Sequence, residues 1–272
     1  MKSLRFLTAA LAVGALALAG CSSEKSDTKG ESGDLVTITV GASPTPHAEI
    51  LEYVQNNLAA DNGINLKIVE YDDYVQPNTA LNDGSLDANF FQTVPYLESE
   101  SASRGFNFTA GEGVHLEPLA VYSDKIDSLD DLPEGGTIGI IADPSNQGRA
   151  LALLAENGVV ELPATGEANV NNVTKLKDFS FLEVDGPLLA SSLPDVDAAV
   201  INGNFAQQAD LAPSDGIAVE SATDNPAVNV LVWADGSDKA EAIRRLEELL
   251  HTPEVREFIT TTWPNGAVIP AY

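Results

Sequence analysis

The chain has 272 residues, 44% of them apolar, so it is long enough to bury a sizeable core and to form about two domains. Its 41 Asp and Glu residues outnumber 14 Lys and Arg residues, and the resulting net charge of −27 repels nucleic acid and anionic lipid surfaces. We therefore exclude a nucleic-acid partner. A site for a free carboxylate in such a chain needs a local cation.

The N-terminus is typical of an export signal. Lys2 and Arg5 precede an apolar run over 6–17 that is too short to span a membrane, and the run ends at Leu18-Ala-Gly-Cys21. This pattern resembles a bacterial lipoprotein signal. The resemblance implies that residues 1–20 are a signal peptide and that Cys21, the only cysteine, carries acyl chains such as palmitate. The alternative is an ordinary secretory signal with an incidental cysteine.

Residues 21–34 have the composition of a flexible tether, being polar and rich in Ser and Gly. As a random coil, a segment of this length spans about 20 Å. Removal of Lys2 and Arg5 with the signal takes the net charge from −27 to −29, so acyl chains rather than electrostatics must hold the protein at a membrane. We expect the folded part to begin at Leu35.

The first folded segment predicts a βαβ unit with parallel strands. Apolar residues alternate over 36–40, a helix stripe follows from Pro46 to its end at Gly63, and a second strand covers 66–70. We expect a strand near 119–122 to close this half. Between them lie aromatic side chains that line a pocket or fill a core, two alternatives that the sequence leaves open: Tyr71, Tyr74, Phe90, Phe91 and Tyr96.

A strand that turns into a helix covers 137–154. Its start is marked by Asp143 as the N-cap and Pro144 at the first helical position. Asn146 and Arg149 are three residues apart, so they share one helix face near an N-terminus that favours anions, and Arg149 adds a planar fork that matches a carboxylate. The strand-to-helix turn of an α/β sheet is where ligands bind. The alternative is that Arg149 pairs with a neighbouring acid.

The second half predicts strands at 179–184 and 196–201. Asn202 and Asn204 directly follow the latter strand, at the end where open sheets bind ligands. Alternatively, they form a turn in which Asn and Gly tolerate left-handed geometry. A returning strand from Asn229 to Trp233 and two helices complete the chain, and we assign this last part to the first half.

The residue inventory argues against an enzyme. The three histidines are His47, His115 and His251, and no nucleophile motif or metal-ligand motif accompanies them. We expect His47 and His251 at the surface or at helix caps. We predict no catalytic residues, no metal and no cofactor. A lipid-anchored hydrolase is the less favoured alternative, and no internal repeat indicates an adhesin.

Several motifs together resemble the methionine-binding lipoproteins of ABC importers, the NlpA family. They run from Leu35 to the C-terminus and comprise Asp73-Tyr-Val-Gln-Pro-Asn78, Asp87-Ala-Asn-Phe-Phe-Gln92, Pro95-Tyr96-Leu97, Tyr122-Ser123, Ser128-Leu129, Asp143-Pro-Ser-Asn-Gln-Gly-Arg-Ala-Leu151, Val200-Ile-Asn-Gly-Asn-Phe-Ala206 and Gly266-Ala-Val-Ile-Pro270. The resemblance implies an α/β, two-lobed fold of the periplasmic-binding-protein type II kind with the ligand in the interlobe cleft. The expected lobes are 35–122 and 123–228, joined by two crossovers, with 229–272 returning to the first lobe.

The resemblance also implies a set of ligand-binding residues. Arg149 is expected to take the ligand carboxylate with help from Asn146, and Asn204, Asn229 and more weakly Asn202 to hold the polar end. The residues expected around the thioether side chain are Tyr71, Phe90, Tyr96 and His115. The family often has His after Phe-Phe-Gln, where this chain has Thr93, and the missing ring enlarges or wets the pocket.

The function that the resemblance implies is capture of a small molecule outside the cytoplasm. The expected ligand is L-methionine or a close analogue, with another small amino acid or a methionine-containing dipeptide as alternatives. The expected partners are the permease and the ATPase of an ABC importer. A monomer anchored through lipid to the extracytoplasmic face of a bacterial membrane is the expected form.

Overall fold

Residues 35–272, the part of the chain that this computed structural model describes, form two large β-sheets, each covered by helices, and one small two-stranded sheet. The predicted signal peptide, the predicted tether and Cys21 lie outside the described residues. The strands, in chain order, are β1 (Val36–Ala42), β2 (Ile64–Glu70), β3 (Ala88–Thr93), β4 (Phe108–Leu116), β5 (Ala120–Tyr122), β6 (Gly136–Ile141), β7 (Val160–Glu161), β8 (Thr174–Lys175), β9 (Phe179–Val184), β10 (Ala198–Ile201), β11 (Ala218–Val219), β12 (Val228–Ala234) and β13 (Ile269–Pro270). The helices are α1 (Glu49–Val54), α2 (Gln76–Asn82), α3 (Val94–Arg104), α4 (Pro144–Glu156), α5 (Gly203–Gln208), α6 (Ala240–Leu250) and α7 (Pro253–Thr262).

The first sheet has the strand order β13-β4-β12-β3-β1-β2. Strand β1 is parallel to β2, which confirms the predicted βαβ unit, and the intervening helical turns end at Gly63 with a φ of +72°. Such a left-handed conformation costs Gly little and ends the helix. The apolar faces of α1 and α6 pack on this sheet through buried side chains such as Leu51, Ile243 and Leu246. Strand β12 joins the sheet antiparallel to β3 and β4.

The second sheet has the order β11-β5-β10-β6-β9, with β6 parallel to both β9 and β10. Its central strands β5, β10 and β6 are buried on both faces, as expected for a sheet that helices cover on each side. Leu151 and Leu154 of α4 pack on one face, and Phe205 of α5 packs on the other.

Strand β5 corrects one expectation. We expected it to close the first lobe within 35–122, yet it pairs antiparallel with β10 and β11 of the second sheet. The chain therefore leaves the first sheet at 117–119, the first crossover, and returns at 220–227, the second crossover. The Glu220 backbone N–H donates to the Leu119 carbonyl at 2.8 Å, so the crossovers lie side by side. The result is a two-lobed α/β protein. None of the described helices is long and apolar enough to cross a membrane.

Candidate functional site

Both lobes and the first crossover line a small cavity of about 20 Å³. Its lining residues are Tyr74, Phe91, Gln92, Thr93, Tyr96, Glu117, Asn146, Arg149, Asn202, Gly203, Asn204 and Asn229.

The turn from β6 into α4 places Asn146 at this cavity. Asp143 caps α4 by accepting a hydrogen bond from the Asn146 backbone N–H at 2.9 Å, as the sequence predicts. The Asn146 side-chain oxygen in turn accepts from Nδ2 of Asn202 at 2.8 Å. Because β6 and β10 are parallel neighbours, their carboxyl ends meet and bring these two amides together.

Arg149 is held by three hydrogen bonds. Its Nε donates to Oε1 of Glu220 at 2.8 Å, and its Nη2 donates to Oε2 of Glu220 at 2.6 Å and to the Glu117 carbonyl at 2.8 Å. Pairing with an acid, the alternative that we left open, therefore does occur, but Nη1 takes no part in these bonds. Burial acts to raise the pKa of Glu220, and the hydrogen bonds and charge of Arg149 outweigh burial and lower that pKa below its usual value.

Asn202 and Asn204 begin α5 rather than a left-handed turn, since Asn202 has φ −66° and ψ 146° and is the N-cap. The Tyr74 hydroxyl of the first lobe donates to Oδ1 of Asn204 at 2.5 Å. Within residues 35–272, Oδ1 of Asn202 and Nδ2 of Asn204 are buried and have no hydrogen-bond partner. Buried polar atoms are almost always paired, so these two are available to a ligand.

Behind the cavity lies a buried polar network of His47, His115, Glu117 and Asn229. His115 Nε2 donates to Oε1 of Glu117 at 2.8 Å, Asn229 Nδ2 donates to the same oxygen at 3.2 Å, and His47 Nε2 donates to Oδ1 of Asn229 at 3.0 Å. Burial lowers the pKa of His47 to about 4 and that of His115 to about 3, so both rings are neutral at pH 7. The expectation that His47 lies at the surface or at a cap is wrong, because its ring is buried against Phe90 at 4.8 Å. His251 does cap α6, as expected.

The same network contains a geometric candidate for a metal site. One potential ligand atom each from His47, His115 and Glu117 lies within 4.8 Å of the others. A histidine that binds a metal normally donates its other ring N–H to a second partner. Across the described chain, Nδ1 of both rings is buried without such a partner. The donors and acceptors around the two Nε2 atoms therefore fit hydrogen bonding better than metal ligation.

The structure brings six of the expected site residues into the cavity lining: Arg149, Asn146, Asn202, Asn204, Asn229 and Tyr96. Three others lie outside it among the described residues. Phe90 is in the core of the first lobe, Tyr71 packs beside Leu86, and His115 lies behind Glu117.

The sequence analysis missed Glu117, and it did not choose Phe91 over Phe90. A signal for Glu117 existed, since it is the one charged residue between the buried end of β4, residues 114–116, and the buried strand β5. Gly203 was also missed, and a Cβ there would lie 2.6 Å from Cβ of Glu117, so only Gly fits. Gln92, a further missed lining residue, is fixed by hydrogen bonds to the buried amides of Asn78 and Asn89.

Known proteins are similar to this chain in sequence and in fold over nearly their whole length. The methionine-binding lipoprotein MetQ of Bacillus subtilis is 37% identical over 278 residues, with 99% of each chain covered. The D-methionine-binding lipoprotein MetQ of Escherichia coli is 34% identical, with 94% of each chain covered.

Two solved structures superpose closely. A lipoprotein from Actinomyces odontolyticus has a TM-score of 0.87 and 63% identity and covers 88% of this chain and 100% of its own. A nutrient-binding protein from Burkholderia cenocepacia, bound to methionine, has a TM-score of 0.82 and 39% identity over 86% of this chain and 100% of its own. The NlpA lipoprotein family model matches residues 38–272, and the chain belongs to that family.

Proposed function

We propose that this protein is a lipid-anchored substrate-binding protein that captures methionine outside the cytoplasm and delivers it to an ABC importer. Relatives named methionine-binding lipoproteins and a similar protein bound to methionine support this function. The observation that carries it is the pair of unpartnered buried atoms, Asn202 Oδ1 and Asn204 Nδ2, on residues that line one cavity with Arg149 in the described chain. A zwitterion needs donors and acceptors of this kind.

The carboxylate end of the ligand meets the donors. Nη1 of Arg149 and Nδ2 of Asn204 take the two carboxylate oxygens, while Glu220 holds the guanidinium in place. A charge-assisted bond in such a buried site is stronger than a neutral one.

The thioether end meets three aromatic rings. Tyr74, Phe91 and Tyr96 are mutual neighbours with ring centroids 5.7 to 6.0 Å apart, and all three line the cavity. Sulfur approaches the edges of aromatic rings favourably, by roughly 0.3–1.5 kcal/mol. Burial of a methionine-sized side chain adds about 1.5–3 kcal/mol. The apolar end of the ligand therefore contributes less to the binding free energy than the carboxylate end.

A longer ligand is the second candidate. A further space of about 390 Å³ is partly open to solvent and shares Thr93, Asn146 and Arg149 with the cavity. Thr93 stands where the family often has His, so a smaller side chain separates the two spaces. This arrangement favours a methionine-containing dipeptide as the alternative ligand.

The cellular part of the proposal rests on the N-terminus. Acyl chains on Cys21 hold the protein on the extracytoplasmic face, and residues 21–34 tether it there. The protein acts as a monomer and delivers its ligand to the permease of the importer, whose transport is powered by an ATPase.

Calorimetry on the full-length protein in detergent tests the ligand. We expect L-methionine to bind, with norleucine within about tenfold of it, because a methylene-sized difference is worth only about 0.8 kcal/mol. D-methionine and a methionine dipeptide complete the panel. The variant Arg149→Ala should show no measurable binding, since loss of one member of a buried charge pair costs about 2–5 kcal/mol, or roughly 30-fold to several thousand-fold.

The matched control is Arg256→Ala. Arg256 lies on α7 over the Tyr272 ring, 4.6 Å from its centroid, and outside the cavity lining. It should bind as the parent does. Equal methionine affinity in Arg149→Ala and in the parent places the carboxylate elsewhere. Absence of methionine binding in the parent rejects the ligand itself.

A further inference from the structure

A second pocket lies between the two lobes and shares Tyr74 and Tyr96 with the ligand cavity. This outer pocket is the space of about 260 Å³ between residues 73–75 and Tyr96 of the first lobe and residues 141–143 and 185–187 of the second. Because its walls come from both lobes, the outer pocket is complete only while the lobes are closed on each other. Its shape therefore differs between the open and the closed protein.

Apolar side chains form a continuous surface in and around the outer pocket. Val75, in the lining, is 46% exposed, and Leu188, which directly follows Pro187 of the lining, is 52% exposed. A groove of about 350 Å³ continues from Pro187 to Phe205 and Gln208 of α5, and none of its described lining residues is charged. An exposed apolar surface of this kind is typical of a site that a protein partner covers.

The charge of the outer pocket indicates which side chain that partner brings. The described lining residues include three acids, Asp73, Asp143 and Asp185, and no Lys, Arg or His. Oδ1 of Asp143 accepts from Asn146, whereas its Oδ2 is buried and has no hydrogen-bond partner within residues 35–272. The Asp185 side chain precedes a helical turn without capping it. Carboxylates near apolar walls are costly without a matching cation, so the outer pocket is complementary to a positive charge.

We infer that the outer pocket docks a basic side chain, Lys or Arg, of the importer's permease, and that closure of the lobes completes this docking site. The inference rests on the proposed function and adds the surface by which the closed protein is recognised. Lys and Arg fit because their aliphatic stems lie along apolar walls while their charged ends reach carboxylates. A small free cation leaves Val75 and Leu188 uncovered, whereas a protein partner covers both.

The test compares methionine uptake with methionine binding in one variant, Asp185→Lys of the full-length protein in its native bacterium. The Asp185 side chain is exposed and lies outside the lining of the ligand cavity. We expect uptake at limiting methionine to fall at least about tenfold, because two positive charges at one interface repel each other. Calorimetry on the purified variant should give a methionine affinity within about twofold of the parent, as for most surface substitutions.

Asp178→Lys is the matched control. Asp178 and Asp185 flank the same strand, β9, at its opposite ends, and both are exposed. Asp178→Lys should retain the parent's uptake and affinity. Val75→Lys changes the opposite wall of the outer pocket and should lose uptake as Asp185→Lys does. It decides the question if thermal melting shows that Asp185→Lys does not fold.

Selection for restored uptake in Asp185→Lys identifies the partner residue. It should return permease variants in which a Lys or Arg is replaced by Glu or Asp, and rescue only by other changes overturns the inference. Normal uptake in a folded Asp185→Lys also overturns it. A loss of methionine affinity as large as the loss of uptake does so too, because the outer pocket then acts on closure alone. A parent that neither binds nor imports methionine rejects the proposed function instead.

Discussion

Phe90 and Phe91 are consecutive residues of β3, so their side chains point to opposite faces of the first sheet. Phe90 is fully buried in the core, whereas Phe91 lines the cavity. We expect Phe90→Ala to lower the free energy of unfolding by about 3–5 kcal/mol, the usual cost of such a cavity. Phe91→Ala should weaken methionine binding with a smaller loss of stability. Denaturant unfolding and calorimetry on both variants separate the two effects, and the reverse pattern would contradict this placement.

The pKa of the Glu117 carboxyl allows us to predict how methionine affinity depends on pH. Burial raises this pKa above the usual value, and the positive charge of Arg149 opposes that rise. Methionine carries an ammonium group, which favours the ionised form of a carboxylate in the cavity lining. Methionine affinity should therefore be highest above the raised pKa of Glu117 and should fall as the pH is lowered through that pKa. The histidines stay neutral until the pH approaches their pKa values of about 4 and about 3.

Asp143 is the other acid near the cavity whose pKa burial raises. Asp143 still titrates in the variant Glu117→Gln. The dependence of methionine affinity on pH should therefore become weaker in that variant but keep the part that Asp143 contributes. Calorimetry between pH 4.5 and 8, roughly the window above the histidine pKa values, measures the difference. Identical profiles in the parent and in Glu117→Gln would assign the dependence to Asp143.

At the scale of elements, the N-cap of α4 serves stability and the cavity at once. Asp143 accepts from both the backbone N–H and the side chain of Asn146, at 2.9 and 3.3 Å. We expect Asp143→Ala to cost about 0.5–2 kcal/mol of stability and also to weaken methionine binding, because Asn146 loses its position. Thr252→Ala removes the N-cap of α7 and should cost stability alone. Equal methionine affinities in Asp143→Ala and Thr252→Ala would show that the N-cap of α4 does not position the binding site.

Local sequence patterns predicted the helices and strands well, but they did not predict which distant strands and side chains pair with one another. The strand, turn and helix over 137–154 follow from Asp143, Pro144 and the apolar run, and the structure confirms each. The partners of β5 could not be predicted, because three apolar residues fit either sheet. The choice between Phe90 and Phe91 failed for a related reason, since β3 is buried on both faces and shows no polar alternation. His47 was misplaced because its hydrogen-bond partner, Asn229, lies 182 residues further along the chain.

At the scale of the molecule, Tyr74 joins the two lobes. It extends from the first lobe, stacks on Phe205 of the second at 4.8 Å and donates to Asn204. A ligand that contacts both lobes stabilises the closed arrangement by its difference in affinity for the two states. Small-angle scattering of residues 35–272 should show a smaller radius of gyration with L-methionine than without it. An unchanged radius at saturation would indicate a rigid cavity.

The anchor is tested on the whole chain in a bacterial host. Because Cys21 is the only cysteine and follows an apolar run, Cys21→Ser should release the protein from membranes into the periplasm or the medium. Fractionation followed by immunoblotting measures the distribution. Ser22→Ala, at the next position, is the control and should stay in the membrane fraction. Quantitative sedimentation of Cys21→Ser with membranes would contradict lipid anchoring.

Both crossovers are fastened to the same side chain. Arg149 donates to the Glu117 carbonyl in the first and to the Glu220 carboxylate in the second, and Glu220 also accepts from the Leu119 N–H at 3.1 Å. Any rotation of one lobe against the other twists these two segments and so turns the guanidinium that faces the cavity. A partner that opened the lobes would therefore move Arg149 and weaken ligand binding through the two crossovers, without contacting the ligand itself.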